Sequence, residues 1–338
     1  MNDTTPADVP DPAERSPDGD SPAASEEDQL QGVSLPLRLY ASPKIHRLVP
    51  TGVALAFAAS VGPAVRQRRN PSERADAERF MSELLAHTPR AAEAPALAKE
   101  WLKEKARLRE LFWRPWLLEH SRVLGAEYWD AARPSGRGCL VVTAHIGGHW
   151  AAGPIAARHG YLSYAVASPQ YWGRMPPGER QRVGYHGLTT RFLFREYTQK
   201  ALGARALPAD SDPGQLLELL NRGESVAIAF DVAGFAATPF LGRTLSLAGG
   251  PATLAIKAKA RVLPAVCERH GSRIDLRFLP PLDPADYQDP RSLRAAIAKT
   301  FEQIVISRPE SVELHRIPHP LVAAVPPQVS ATAAQRAS

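Results

Sequence analysis

Cysteine is scarce in this 338-residue chain: there are two, Cys139 and Cys267, each inside an apolar run and far apart in sequence. That usage argues against a disulfide framework or a zinc site and fits reduced core thiols in a cytoplasmic protein. No G-x-x-x-x-G-K-[ST] loop and no G-x-S-x-G elbow occurs. Neither a P-loop nucleotide site nor a hydrolase nucleophile elbow is therefore indicated. A basic n-region followed by an apolar h-region is missing at the start, so a secretory signal is not expected. There is no internal repeat, and nothing resembles an RNA- or DNA-binding module, which ranks nucleic acid last among partners. Long apolar stretches are scarce too. The longest run without Asp, Glu, Lys, Arg or His, residues 48–65, has 18 residues and contains Pro50, Gly52, Gly62 and Pro63.

The formal charge of +6 conceals an asymmetry. Residues 1–32 hold nine acids and one arginine, a local charge of −8, and leave 40 basic against 26 acidic residues, or +14, for the remainder. That first segment is rich in Pro, Asp, Glu, Ser and Ala, which predicts a disordered acidic tail over 1–32. The basic body favours anionic partners: a membrane surface or an acidic carrier protein. The run 48–65 is flanked by Lys44 and Arg47 before it and Arg66, Arg68 and Arg69 after it. Spanning a bilayer takes about 20 predominantly apolar residues, so a helix lying in or dipping into the interface fits better than a span. A buried amphipathic helix with solvated basic flanks is the alternative. Helical pattern then continues to residue 124. The segment 98–118 carries Leu102, Leu108, Leu111, Phe112, Trp113 and Trp116, an apolar face broader than one stripe and suited to core packing. We expect a helical membrane-associating region over 33–125, a catalytic core over 126–317, and a flexible tail over 318–338.

From residue 137 onward strands and helices alternate, the signature of an α/β sheet. Strands are predicted near 139–144, 161–167, 204–208, 225–230, 261–267 and 273–279. Asp212, Pro213 and Gln215 form a capped helix start with Leu216, Leu217, Leu219 and Leu220 as its core face. Asp289 and Pro290 open a second helix, whose Leu293, Ile297, Phe301, Ile304 and Val305 fall on one stripe.

The stretch 137–153, RGCLVVTAHIGGHWAAG, carries the candidate chemistry. An uninterrupted apolar run suits a strand buried on both faces, and His145 falls just beyond its carboxyl end, where ligands gather in α/β sheets. Gly147 and Gly148 allow close backbone approach, and the helix that follows directs free N–H groups to the same place. His145 could then be a general base beside an oxyanion site, or simply a turn histidine with packing glycines. His145 and His149 are four apart, as metal ligands on a helix would be. Ile146 stands where the zincin pattern needs Glu and no third ligand is evident, so no metal is expected. In SVAIAFDVAGFAATPFLGR, residues 225–243, an apolar strand ends in Asp231 and a glycine-bearing loop runs on to Arg243. Asp231 either caps its turn or, if strands 139–144 and 225–230 are neighbours, orients His145. Arg243 either binds an anionic group or is a solvated charge. A Gly-Gly-Pro helix start lies in LAGGPATLAIKAKARVLPA, with Lys257, Lys259 and Arg261 clustered before the next strand. Over 171–205, Arg191 is one of several arginines mixed with aromatics that either line an acyl or phosphate channel or are surface charges.

Together and in this order, these stretches resemble the bacterial lipid A biosynthesis lauroyl/myristoyl acyltransferases and the related phosphatidylinositol mannoside acyltransferases. Members typically read TAHxGNWExxG, then GxxxADQ…PFFGR, then TGPxxLAxxxGAPVxP. Here the matching text is Thr143, Ala144 and His145 with Gly147, Gly148, Trp150 and Gly153; Ala229 to Asp231; Pro239 to Arg243; and Gly250–Pro251 through Leu263–Pro264. Arg308, Pro309 and Glu310, then His315 and Arg316, are similar to the closing HPE…HRR. The likeness covers roughly residues 35–317. It implies a glycerolipid acyltransferase-like fold, a mixed central sheet flanked by helices, on the cytoplasmic face of the inner membrane. Attachment would be peripheral or through one short N-terminal segment. It further implies transfer of a fatty acyl group from an acyl carrier protein or coenzyme A thioester, used as co-substrate with no cofactor, to a glycolipid hydroxyl. His145 would be the base, backbone N–H groups around Gly147 and Gly148 would hold the oxyanion, and Trp150, Arg191 and Arg243 would contact substrate. One departure is plain. The family expects an acid five residues after the histidine, and this chain has Trp150 there, or Ala151 with one insertion. Asp231 is the substitute acid, and an inactive lipid- or carrier-binding homologue is the alternative.

Overall fold

The computed structural model describes residues 42–134, 137–167, 189, 192–208 and 211–313. The acidic tail, the residues after 318 and Arg191 lie outside them. The described chain opens with α1 (Pro43–Leu48) and α2 (Thr51–Arg69), the latter formed by most of the uncharged run. α2 buries Ala54, Leu55 and Ala59 and leaves Val53, Phe57, Val61 and Val65 exposed at four-residue spacing. It packs on α4 (Ala94–Phe112), where Gly62 faces the Ala106 methyl group closely enough that an added Cβ would lie 3.3 Å away. Between them runs α3 (Glu73–Leu85). The helical pattern expected to continue to residue 124 breaks at Phe112. Pro115 disfavours a helical conformation at Arg114, and Pro115–His120 forms a 3-10 turn instead.

A polar clamp holds α1 and α2 to α4. Arg114, buried to 2 % exposure, donates to the Glu110 carboxylate through Nη2 at 2.9 Å and to the Val49 carbonyl at 3.0 Å. His46 Nδ1 lies 2.8 Å from the same Glu110 oxygen. Arg66 reaches the Leu102 carbonyl at 3.0 Å. Burial opposes the Glu110 charge, but the hydrogen bonds and charges of His46 and Arg114 outweigh it and hold the carboxyl below its ordinary range.

After α4, β1 (Val123–Leu124) and α5 (Ala126–Ala132) lead into a seven-stranded sheet ordered β1-β9-β8-β2-β5-β3-β4. Its other members are β2 (Leu140–Thr143), β3 (Tyr164–Ala167), β4 (Ala206–Pro208), β5 (Val226–Ala229), β8 (Val262–His270) and β9 (Arg273–Phe278). All pairings are parallel except the β8–β9 hairpin, so the sheet is mixed as expected. The helices that cover it are α6 (Ala152–Arg158), α7 (Pro213–Asn221), α8 (Gly250–Ala258) and α9 (Pro290–Ser307), with α3, α4 and α5. Strand alternation sorts the core into two layers. Leu140 and Val142 face a cluster built with α3, α7, α8 and α9, while Cys139 and Val141 face one containing Trp113, Trp129 and Ile155. Both cysteines are buried free thiols, and burial, partly offset by Ser225, pushes Cys139 up to about 11.

The segment expected as a loop between Asp231 and Arg243 is instead most of a two-stranded hairpin, β6 (Ala233–Phe240) and β7 (Arg243–Leu247). Leu241 and Gly242 form its two-residue turn with φ of 49° and 74°, the signs a type I′ turn requires. Leu241 accepts that conformation while its side chain is buried and its N–H donates to Glu302 at 2.8 Å. The low β-propensity of Ala-Gly-Phe-Ala-Ala hid the strand. Among the described residues it pairs with its own return strand alone, and its partners on α9 include Arg294, which donates to the Ala237 carbonyl.

Replacing Glu110 by Gln is expected to lower stability at pH 7 by about 2 kcal/mol, since Arg114 and His46 lose a charged acceptor. A depressed folded-state pKa contributes stability that is present above the unfolded-state value and lost as pH falls through the folded one. The gap between wild type and Glu110→Gln therefore closes below roughly pH 4, read by denaturant melts across pH.

Candidate active site

β2 and β5 are parallel neighbours in a register that pairs Leu140 with Val226 and Thr143 with Ala229, a constant offset of 86 residues. Two residues beyond each strand the same offset brings His145 to Asp231. His145 Nδ1 lies 2.8 Å from Asp231 Oδ1, and the His145 backbone N–H donates to Oδ2 at 2.8 Å. The Asp231 side chain is fully buried, whereas the His145 side chain keeps 22 % exposure. A carboxylate can only accept, so the Nδ1 proton is fixed on the Asp231 side and Nε2 of a neutral ring carries the lone pair. Such a histidine can take a proton from a hydroxyl group.

Positions 150 and 151, where the family pattern would put an acid, point elsewhere. Trp150 packs against Tyr197 with ring centroids 4.7 Å apart and against Phe112 at 5.3 Å, inside an aromatic cluster. Ala151 is wholly buried. The acid beside the histidine comes from the neighbouring strand.

The backbone donors expected to form an oxyanion hole are engaged within the chain. Gly147 N–H donates to the Ser311 carbonyl at 2.9 Å. Gly148 N–H and His149 N–H both donate to Glu313 Oε1, at 2.8 and 3.2 Å. The segment 311–313 returns beside 145–147 and engages those groups. Ile146 bridges Val312 in antiparallel fashion, Glu313 N–H donates to the His145 carbonyl at 2.8 Å, and Trp101 Nε1 donates to the Val312 carbonyl at 2.6 Å. Glu313 escaped the sequence reading because it stands 164 residues beyond His149, and no periodicity or spacing links the two.

The same carboxylate also holds the second histidine. His149 Nδ1 lies 3.0 Å from Glu313 Oε1, and the His149 and His145 rings meet edge to face with centroids 4.4 Å apart. Two histidine–carboxylate pairs therefore sit side by side. Among the described residues, no group of three or more His, Cys, Asp or Glu is arranged to hold a metal ion.

Arg243 opens β7 just after the two-residue turn of the hairpin, and Asp231 precedes β6. Burial lowers the Arg243 guanidinium, opposed by the charge of Glu83 on α3. Lys259 and Arg261 line a cleft with Arg137 and Asp283 at the amino end of β2, opposite His145, and Arg261 is paired with Asp283 at 2.9 Å.

Residues 196–316 match the model of a family described as bacterial lipid A biosynthesis acyltransferase. The matched stretch contains Asp231, the Pro239–Arg243 text and the Arg308–Pro309–Glu310 text, and it supports a lipid-acylating acyltransferase. No curated protein matches the chain. Among solved structures, the 1-acyl-sn-glycerophosphate acyltransferase PlsC from Thermotoga maritima is similar, at 17 % identity and a TM-score of 0.35, over 78 % of this chain and 97 % of that one.

Gly147 has φ +65°, and an added Cβ would overlap the Cys267 carbonyl oxygen on β8. Gly147→Ala should therefore destabilise the fold by about 3 kcal/mol, combining left-handed strain with a forced shift of β8. A urea midpoint equal to wild type would overturn this account of the turn.

Proposed function

We propose that this protein transfers a fatty acyl group from an acyl carrier protein or coenzyme A thioester to a hydroxyl of a glycolipid, with His145 as general base. The observation that carries the reading is the His145–Asp231 pair at adjacent strand ends, within a chain whose residues 196–316 match the acyltransferase family model. The acceptor hydroxyl gives its proton to His145 Nε2 as its oxygen bonds to the thioester carbonyl carbon. The carbon–sulfur bond then breaks, and the thiolate takes the proton back from the imidazolium. Asp231 holds the ring in the working tautomer and stabilises its charge. The reading as an inactive homologue drew on the missing acid at 150 or 151; Asp231 beside His145 removes that motive.

Two surfaces favour a lipid setting. Val232, directly after Asp231, and Phe235 four residues beyond it are exposed apolar groups. On α2, Val53, Phe57, Val61 and Val65 form an exposed apolar row, with Leu48 and Val49 before it and the exposed cations Lys44 and Arg68 at its ends. No helix among the described residues is long and apolar enough to cross a membrane. The row suits a helix lying in the bilayer interface on the cytoplasmic face of the inner membrane, its cations against anionic headgroups.

Purified protein incubated with radiolabelled C12–C16 acyl-coenzyme A and acyl carrier protein donors, plus a lipid extract of the source cell, should label a new lipid. His145→Ala should abolish that labelling in a folded protein, and Asp231→Asn should slow it by about 10²–10⁴-fold. Full activity in His145→Ala would sink the assignment. Separately, Phe57→Glu should weaken co-sedimentation with phosphatidylglycerol-containing vesicles by about tenfold or more without changing the fold. Unchanged partitioning would remove α2 as the contact.

A further inference from the structure

The amino end of the sheet, opposite the His145–Asp231 pair, holds a cleft of about 630 Å³, a volume typical of small-molecule sites. Its lining includes three cations, Arg137, Lys259 and Arg261, one acid, Asp283, and the apolar side chains of Ile256 and Pro284. The sheet fixes these walls. Leu140 N–H donates to the Arg261 carbonyl at 2.9 Å, and Val262 and Leu282 exchange backbone hydrogen bonds at 2.8 and 2.9 Å, which holds residues 283–285 beside β8. Asp283 is engaged through both oxygens: Oδ1 accepts from Ala285 N–H at 3.0 Å and Oδ2 from Arg261 Nε at 2.9 Å. α5 and α8 both end at the cleft, and helix carboxyl ends attract cations. That attraction is already answered. Arg261 Nη1 donates to the Ala131 carbonyl at 2.7 Å, and the Lys259 and Ala260 N–H groups close α8 on the Ile256 and Ala255 carbonyls at 3.2 and 3.0 Å. Arg137 and Lys259 are exposed and have no carboxylate partner among the described residues. Lys259 also holds φ +51°, a left-handed conformation that penalises a residue with a Cβ and that glycine adopts freely. Glycine would end α8 at lower cost, so ending the helix does not account for the ammonium group.

We propose that Arg137 and Lys259 bind the phosphate of a small phosphomonoester whose uncharged part rests on Ile256 and Pro284. Such a phosphate carries roughly −1.5 to −2 charges near neutral pH, which matches the two cations that Asp283 does not neutralise. The guanidinium presents a planar fork to two phosphate oxygens, and the ammonium adds a point charge. A concave wall carrying one sign of charge concentrates its field, so the anion is held more firmly here than by the same cations on an open surface. Arg261, committed to Asp283 and Ala131, screens the ligand from the acid and keeps the wall in shape. Binding involves no covalent step and no group of the His145–Asp231 pair.

The test is calorimetric titration of the full chain with glycerol 3-phosphate and adenosine 5′-monophosphate, with glycerol and adenosine as uncharged controls, alongside thermal melts. At least one phosphomonoester should bind and raise Tm by about 2 °C or more at saturation, and the uncharged compounds should do neither. Arg137→Gln and Lys259→Gly should each weaken binding about tenfold or more. Without ligand, Lys259→Gly should melt no lower than wild type, because glycine relieves the left-handed position. Lys257→Gln, which removes an exposed cation of α8 outside the cleft, should bind as wild type does. Co-sedimentation with phosphatidic acid vesicles is the headgroup arm, and a site for a free phosphomonoester leaves wild type and Lys259→Gly equal in it. The proposal is overturned by a lack of binding to either phosphomonoester at millimolar concentration, or by equal weakening in Lys257→Gln. It is also overturned by a lower melt of ligand-free Lys259→Gly, which would make the ammonium a helix-end support, or by vesicle binding that depends on Lys259 while the soluble compounds fail. Each of these outcomes leaves the acyltransferase reading standing, since that reading rests on turnover by wild type and His145→Ala.

Discussion

The site depends on the parallel pairing of β2 with β5. A hydrogen-bonded ladder fixes which residues end beside each other, and a shift of even one residue would send alternate side chains to opposite faces. With Thr143 opposite Ala229, the next two residues on each strand deliver an imidazole and a carboxylate to hydrogen-bonding distance. The sheet's interior supplies the rigidity. Leu140, Val142 and Val226 are wholly buried, and the strand pair is covered on both faces, so neither end can slide without disrupting the core.

That rigidity is extended by a second, less regular element. Among the described residues the segment 311–313 makes a single bridge, Ile146 with Val312, and it is held by Trp101 on α4 and by exchanged backbone hydrogen bonds with residues 145 and 147. Glu313 then consumes donors that a helix start beside His145 would otherwise leave open. The consequence is a site with two carboxylates and two imidazoles in place of one dyad beside an open nest of N–H groups. A buried acid with two donors from one histidine restrains that ring closely. A partly exposed acid shared among three donors restrains the other while leaving it in contact with solvent.

At the opposite end of the chain's architecture, α2 is divided in its loyalties. Small residues, Ala54, Ala59 and Gly62, let it approach α4, while larger ones at 53, 57, 61 and 65 face outward. The clamp of Arg114, Glu110 and His46 fixes that orientation and keeps the apolar row from turning inward. An apolar row held outward by a buried polar clamp is consistent with a surface that meets lipid.

Much of this architecture was legible in the residues themselves. Continuous apolar runs of strand length announced β2, β5 and β8, because strands covered on both faces need apolar residues at successive positions. Asp212–Pro213 and Asp289–Pro290 announced α7 and α9, because a side-chain acceptor and a ring-locked φ satisfy the first turn locally. His145 and Asp231 stood out for the same local reason, each a polar residue closing an apolar run. The hairpin β6–β7 did not, since its strands owe their form to pairing with each other and packing on α9 and not to their own propensities. Nor did Glu313, nor the loss of the Gly148 and His149 donors. Such contacts join residues more than 160 positions apart, and local pattern holds no information about which distant segment will return. The sequence by itself determined the alternating strands and helices and the residue types that can do acid–base chemistry. Only the tertiary structure decided which acid meets which histidine, because that choice is made by strand register and chain return in three dimensions.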